Sequence, residues 1–289
     1  MGEEIAILLT VHSRREKTLS CLDQCFLQGD ALQSEGKYRV SVYMVDDGST
    51  DGTSEAVRER YPSVHIIKGD GTLFWNQGMR LAWSEAAKED PSFYLWINDD
   101  TLLRDGALAS LMETSQFLRH RAIVAGTCED AQGNLSYGGR TKSGKIVRPD
   151  PDIPEPCYTF NGNLVLVPRI VYNSLGNLEP FYHHTFGDYD YGVRAAAKDI
   201  IRVVAPGVLA TCNRNPGVEK WRDASLPLKV RFRTLESPTG RPTREQFFFD
   251  LRDRGFFWAI GHGASVLFKM LFPRKSSSGG GKTQSQAEQ

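Results

Sequence analysis

Acidic residues cluster at three places in this 289-residue chain, each beside glycine or aromatic residues. Residues 45–53 read VDDGSTDGT. There Asp46 and Asp47 can accept hydrogen bonds from a nucleobase or ribose. Gly48 and Gly52 permit a tight turn, and Ser49, Thr50 or Asp51 can cap a following helix. The same residues would also make a capped strand–turn–helix with no ligand. Residues 96–101 read WINDDT, so Asn98, Asp99 and Asp100 leave an apolar run together. Hard carboxylate oxygens of this kind suit Mg²⁺ or Mn²⁺, which takes one or two of them and completes its shell with water and phosphate oxygens. Asp100 or Thr101 could instead cap a helix. Residues 181–194, FYHHTFGDYDYGVR, set two carboxylates among aromatic rings. Partial desolvation raises a carboxyl pKa toward neutrality, the property a general base needs. Asp188 or Asp190 can serve, with the other pairing to Arg194 along a helix. His183 and His184 are adjacent rather than four apart, and neither HExxH nor CxxC accompanies them, which argues against zinc.

Short apolar runs at 5–11, 40–45, 64–67, 93–97 and 123–126 alternate with helical patterns. Near-continuous hydrophobicity over a few residues suits strands covered on both faces. Met79, Ala82, Trp83, Ala86 and Ala87 fall on one helical face, which makes Trp83 a core residue. The pattern predicts an α/β fold with a mostly parallel central sheet flanked by helices, and with ligands beyond the carboxyl ends of the strands. Glycines and prolines interrupt it between 130 and 157, as in a hairpin or lid. Strand-like segments return at 163–167 and 201–204.

Hydrophobic residues at 40% and charged residues at 24% exclude collagen-like, coiled-coil and wholly disordered classes. Thirty-five basic residues balance 35 acidic ones, so no global field recruits nucleic acid. Five scattered cysteines read as free thiols of a reducing compartment, and the acidic start does not resemble a signal peptide. These features predict a cytoplasmic protein.

The three blocks, in this order and spacing, resemble the family 2 glycosyltransferases, inverting enzymes of the GT-A fold that use nucleotide sugars. Residues 69–79, GDGTLFWNQGM, resemble the loop of the bacterial rhamnosyltransferase-like polysaccharide enzymes. The resemblance spans about 5–215. It implies donor contacts from Thr10, Asp46, Asp47, Gly71, Trp75, Asn76, Asn98, Asp99 and Asp190. It also implies a divalent cation (Mn²⁺ or Mg²⁺) at Asp100 and Asp188 as catalytic base. Gly187 stands where the family has Glu, and Asn98 replaces the first Asp of its DXD motif. The late metal-binding His of some relatives has no counterpart in 209–215. The implied donor is dTDP-rhamnose or a UDP-sugar, and the implied acceptor a glycan or lipid-linked saccharide. A sugar-nucleotide nucleotidyltransferase would want a glycine-rich loop after the first strand, and residues 10–15, TVHSRR, contain no glycine. A non-catalytic nucleotide-sugar-binding module would be expected to lack Asp100 or Asp188.

The expected organisation is a catalytic domain at 1–220, a helical extension at 221–274 and a disordered tail at 275–289. Residues 255–272, GFFWAIGHGASVLFKMLF, are short for a membrane span and contain His262 and Lys269. They suit either a helix packed on the catalytic domain or an interfacial helix drawn to anionic lipid by flanking cations, at the inner face of the cell membrane.

Overall fold

Strand β1 (Glu3–Val11) shows how the sheet divides its side chains. Ile5, Ile7, Leu9 and Val11 point into one apolar cluster, Ala6 and Leu8 into another. Strand β4 (Phe93–Ile97) repeats the alternation, with Phe93, Leu95 and Ile97 on the first face and Tyr94 and Trp96 on the second. A sheet with two buried faces needs helices on both. Helices α1 (Arg15–Ser34), α2 (Thr53–Arg60) and α4 (Ala107–Phe117) supply the first cover; α3 (Phe74–Ala86), α5 (Arg169–Leu175) and α6 (Gly187–Ala196) supply the second. Trp83 is fully buried on α3 among the rings of Trp96, Tyr94, Tyr172 and Tyr191.

The computed structural model describes residues 3–34, 36–214 and 220–273, and the tail expected at 275–289 lies outside them. The chain divides into two units, Met1–Asn215 and Pro216–Gln289. The first holds β1, β2 (Tyr38–Asp46), β3 (His65–Lys68), β4, β5 (Ala122–Ala125), β6 (Glu155–Pro156), β7 (Leu164–Pro168) and β8 (Ile201–Val204). Their order across the sheet is β6-β8-β5-β7-β4-β1-β2-β3. Strands β4, β1, β2 and β3 run parallel, as do β5 and β8. Strand β7 is antiparallel to both β4 and β5, and β6 is antiparallel to β8. A parallel strand needs a crossover, usually a helix. The glycine- and proline-rich stretch before β7 supplies none, so the chain re-enters from the opposite end. That stretch forms short ladders, including Gly139–Arg140 with Thr159–Phe160 and Cys128–Glu129 with Leu135–Tyr137. Because β1, β2 and β4 run the same way, Val11, Asp46 and Ile97 finish at one edge of the sheet, and the acidic motifs follow from there.

In the second unit α7 (Leu228–Leu235), α8 (Thr243–Arg254) and α9 (Phe256–Leu271) share a small core of Trp221, Leu235, Val266 and Met270. Helix α9 buries Ala259, Val266 and Met270 and exposes Phe257, Trp258, Ile260, Phe268 and Leu271, with Phe257 at 89%. No described helix is long and apolar enough to cross a membrane. The five cysteines are free and buried.

Candidate functional site

The carboxylates after β2 are held by the protein itself. Asp46 Oδ1 accepts the Ser49 N–H at 2.8 Å, and Oδ2 accepts Lys68 Nζ at 3.1 Å and the Ser54 hydroxyl. Burial works against its charge, but these donors outweigh it and hold the carboxyl below its usual range. Asp47 reaches the loop before α3. Its Oδ1 accepts from Gly71 N–H at 2.8 Å and Leu73 N–H at 3.2 Å, and its Oδ2 from Phe74 N–H at 2.9 Å. Both side chains are almost wholly buried. Asp46 thereby ties the turn after β2 to Ser54 and Lys68, while Asp47 shapes residues 69–74 and leaves Gly71 exposed at φ +88° on the loop surface.

Trp75 and Asn76, side by side at the start of α3, have divergent tasks. Trp75 Nε1 donates to Asn98 Oδ1 at 2.8 Å, and its ring lies against Gly162, where a Cβ would collide with the indole. Asn76 is fully buried, and its Nδ2 donates to the carbonyls of Glu179 at 2.9 Å and Tyr182 at 2.7 Å. Asn76 thereby ties α3 to the segment leading into Asp188. Thr10, at the end of β1, lies so close to Gly78 of α3 that a side chain there would strike its hydroxyl. Gly187 faces Asn76 just as closely, since any Cβ at 187 would collide with Asn76 Oδ1. The glycine in place of the family's Glu therefore has a steric reason.

Asp188 opens α6. Its Oδ2 accepts the Gly162 N–H at 2.9 Å and its Oδ1 the Tyr189 N–H at 2.8 Å. Burial pushes its carboxyl up to about 6 despite these donors and nearby Arg140. Asp190, fully buried, accepts from Tyr182 Oη at 3.1 Å and from Arg194 Nε at 2.9 Å. Arg194 also binds the carbonyls of Leu175 and Asn177 at 2.9 Å. Of the two candidate bases, Asp190 is the one tied into an ion pair.

The turn 161–163 joins the base block to the acidic strand end. Gly162 holds Asp188, while the carbonyl of Asn163 accepts the Asn98 N–H at 3.1 Å. Beyond Asn98, Arg14 Nη1 donates to Asp99 Oδ1 at 3.0 Å and to Asp100 Oδ2 at 2.9 Å. Burial pushes Asp99 up to about 6, Arg14 opposes that shift, and Asp100 adds to it. Asp99 Oδ2 is buried without a partner, and Cys212 Sγ lies 3.5 Å from Asp100 Oδ1. Hard oxygens on two adjacent carboxylates, one of them unsatisfied, fit a cation that fills its remaining positions with phosphate and water. Among the described residues no three His, Cys, Asp or Glu converge as a complete protein cage. Left-handed backbone at Ser13, Phe74 and Phe186 immediately precedes Arg14, Trp75 and Gly187, the kind of strain that collects at functional sites.

Several site residues carried no signal in the sequence. Arg14 lies 85 positions from Asp99. Gly162 is one of 27 glycines. His184 accepts weakly from Trp75 N–H at 3.4 Å, and burial followed by the Arg14 charge lowers its pKa. Arg140 binds Asn161 Oδ1 at 3.0 Å and lies over the Tyr189 ring. It also lines an open groove of about 570 Å³ with Lys145 and Arg214.

The Glycosyl transferase family 2 model matches residues 6–184. No curated protein sequence matches the chain. Among solved structures, S. aureus TarS 1–349 is similar at TM-score 0.58 and 11% identity, over 93% of this chain and 70% of that one. The same protein in complex with UDP-GlcNAc gives 0.59 at 11% identity, over 93% and 71%. The mannosyltransferase PcManGT from Pyrobaculum calidifontis, in complex with GDP-Man and Mn²⁺, gives 0.53 at 16% identity, over 93% and 75%. These likenesses share the GT-A arrangement of a two-faced, mostly parallel sheet. With more than half its length matched by the family model, the chain belongs to glycosyl transferase family 2.

Proposed function

We propose that this protein is an inverting hexosyltransferase that moves a sugar from a nucleoside-diphosphate donor to a glycan or lipid-linked hydroxyl, with Asp188 as general base. One observation carries the reading. Asp188, a carboxyl held near neutrality and outside any ion pair among the described residues, accepts a hydrogen bond from the same 161–163 turn that supports Asn98 and the acidic strand end. The nucleoside lies over the loop that Asp47 shapes, against Gly71 and Trp75. Asn98 and Trp75 orient the sugar. Asp188 takes the proton of the acceptor hydroxyl as its oxygen attacks the anomeric carbon, while the bond to the diphosphate breaks on the opposite side. That single displacement inverts the anomeric centre. Asp100 would hold a divalent cation, which would supply charge neutralisation for the departing diphosphate. Thr10 and Asp190 act through α3 and α6, which they help to place.

The donor class is supported by the UDP-GlcNAc and GDP-Man in the similar structures, one of them with Mn²⁺. The loop at 69–79 favours dTDP-rhamnose or a UDP-sugar. A thermal shift with Mn²⁺ plus UDP, GDP or dTDP tests the reading, because a ligand at ~100 times its dissociation constant stabilises by about 2.7 kcal/mol. Silence toward all three would favour a binding module with another ligand. Asp100→Ala should lose transfer and keep its fold; full turnover of that variant in EDTA would remove the cation from the account.

The exposed rings of α9 and neighbouring Lys229, Arg233, Arg252 and Lys269 support peripheral contact with an anionic membrane, where a lipid-linked acceptor would reside. Co-sedimentation should require anionic lipid, weaken with salt and vanish on truncation after Arg254. Equal recovery in the supernatant with and without vesicles would refute the contact.

A further inference from the structure

Two adjacent carboxylates and one guanidinium make an unequal set. Arg14 places a single nitrogen, Nη1, on both Asp99 and Asp100, and carries one positive charge against two negative ones. Its Nε and Nη2 have no partner among the described residues, and its side chain is 39% exposed while those of Asp99 and Asp100 are 7% and 11% exposed. The root of the side chain is fixed. Ser13 N–H donates to Ser49 Oγ at 2.8 Å, Thr50 N–H to Ser13 Oγ at 3.2 Å, and Arg15 N–H to Asp51 Oδ2 at 2.9 Å. A pinned backbone, one engaged nitrogen and two open ones describe a side chain that can change partners without moving its helix.

The geometry points to Arg14 as a resident cation that competes with the divalent ion for Asp100 and engages the donor's diphosphate once displaced. The inference rests on the reading that Asp100 holds such an ion, and it adds a coupling that this reading does not contain. An ion binding Asp100 Oδ2 must take an oxygen that Arg14 now holds, and the two positive charges then repel at close range. With no other anion present, Arg14 gains nothing by leaving. A diphosphate changes that, because its oxygens match the planar fork of Nε and Nη2. Arg14 therefore weakens binding of the bare ion and strengthens binding of the ion–diphosphate complex. By linkage, diphosphate raises metal affinity by the same factor that metal raises diphosphate affinity. A lysine could not do both, since it offers a compact point charge in place of a fork.

The test uses the full chain and two probes, Mn²⁺ alone and the one-to-one Mn²⁺–pyrophosphate complex, titrated calorimetrically against wild type, Arg14→Met and Arg14→Lys. Pyrophosphate removes any dependence on which nucleotide the protein prefers. Arg14→Met should bind Mn²⁺ at least tenfold more tightly and the pyrophosphate complex at least tenfold more weakly. Opposite signs are the signature, since a merely structural loss would weaken both. Arg14→Lys should hold Mn²⁺ as wild type does and the complex more weakly. It decides the matter if Arg14→Met does not fold. Wild-type affinity for the complex in Arg14→Lys would then overturn the proposal. Equal Mn²⁺ affinity in wild type and Arg14→Met would overturn the coupling and leave the metal reading standing. No Mn²⁺ binding by wild type with either probe would overturn both.

Discussion

Asp188→Asn separates the energetics of the proposed base from its chemistry. Burial raises this carboxyl from 3.8 to about 6, a shift worth about 3 kcal/mol. The folded state thus holds the proton more tightly than the unfolded chain does. Its contribution is fully present below the unfolded value of 3.8 and is lost as pH rises through 6. Asparagine cannot ionise, so it escapes that loss. It does present an amide to one of the two backbone N–H donors, Gly162 or Tyr189, at a cost of about 1–3 kcal/mol at every pH. Relative to wild type, the variant should therefore gain about 2.5 kcal/mol of stability between pH 4 and pH 7.5. By calorimetry the difference in unfolding temperature should move in its favour by roughly 5–10 °C over that range. Turnover should respond oppositely. Wild-type kcat/KM should follow the ionised fraction, rising about tenfold from pH 5 to pH 7 with a midpoint near 6. Asp188→Asn should lose roughly two to four decades of rate and retain donor binding. A stability difference that does not vary with pH, or a variant with wild-type turnover, would refute the assignment.

If the proposed donor site lies against Trp75 while Trp83 serves the core, nucleotide-induced fluorescence quenching should disappear in Trp75→Phe and persist in Trp83→Phe, as fluorescence titrations will show. Gly187→Ala should destabilise by about 1–3 kcal/mol through its collision with Asn76 Oδ1, and by less in an Asn76→Ala background. Additive losses in that double-mutant cycle would mean that Asn76 is not the obstacle. Asp190→Asn should lower stability through its pair with Arg194 while retaining turnover; loss of turnover in Asp190→Asn with Asp188→Asn active would make Asp190 the base.

The strand and helix pattern was legible because each apolar run of five or so residues feeds two buried faces, and because Met79, Ala82, Trp83 and Ala86 keep helical spacing over about two turns. The direction of β7 was not legible, since hydrophobicity is the same for parallel and antiparallel neighbours. What differs is the absence of a crossover helix. The acidic motifs were visible as motifs, but their hydrogen bonds were not. Asp47 is satisfied by backbone donors at 71, 73 and 74, and backbone donors leave no trace in residue type. Arg14 looked like one of 35 basic residues until folding placed it on Asp99 and Asp100. Residue type alone did not separate Asp188 from Asp190; the resemblance put the base at Asp188, and the fold gives the two carboxylates different partners. Arg194 and Tyr182 take Asp190, and the Gly162 N–H takes Asp188.

The proposed chemistry is a single displacement at the anomeric carbon with Asp188 taking the acceptor's proton. Its most direct test is the anomeric configuration of the product, read by proton NMR on the reaction with whichever UDP-, GDP- or dTDP-sugar supports nucleoside-diphosphate release in the presence of Mn²⁺. Single displacement gives a product of opposite configuration to the donor, formed by wild type and abolished in Asp188→Asn. A product that retains the donor's configuration would contradict it.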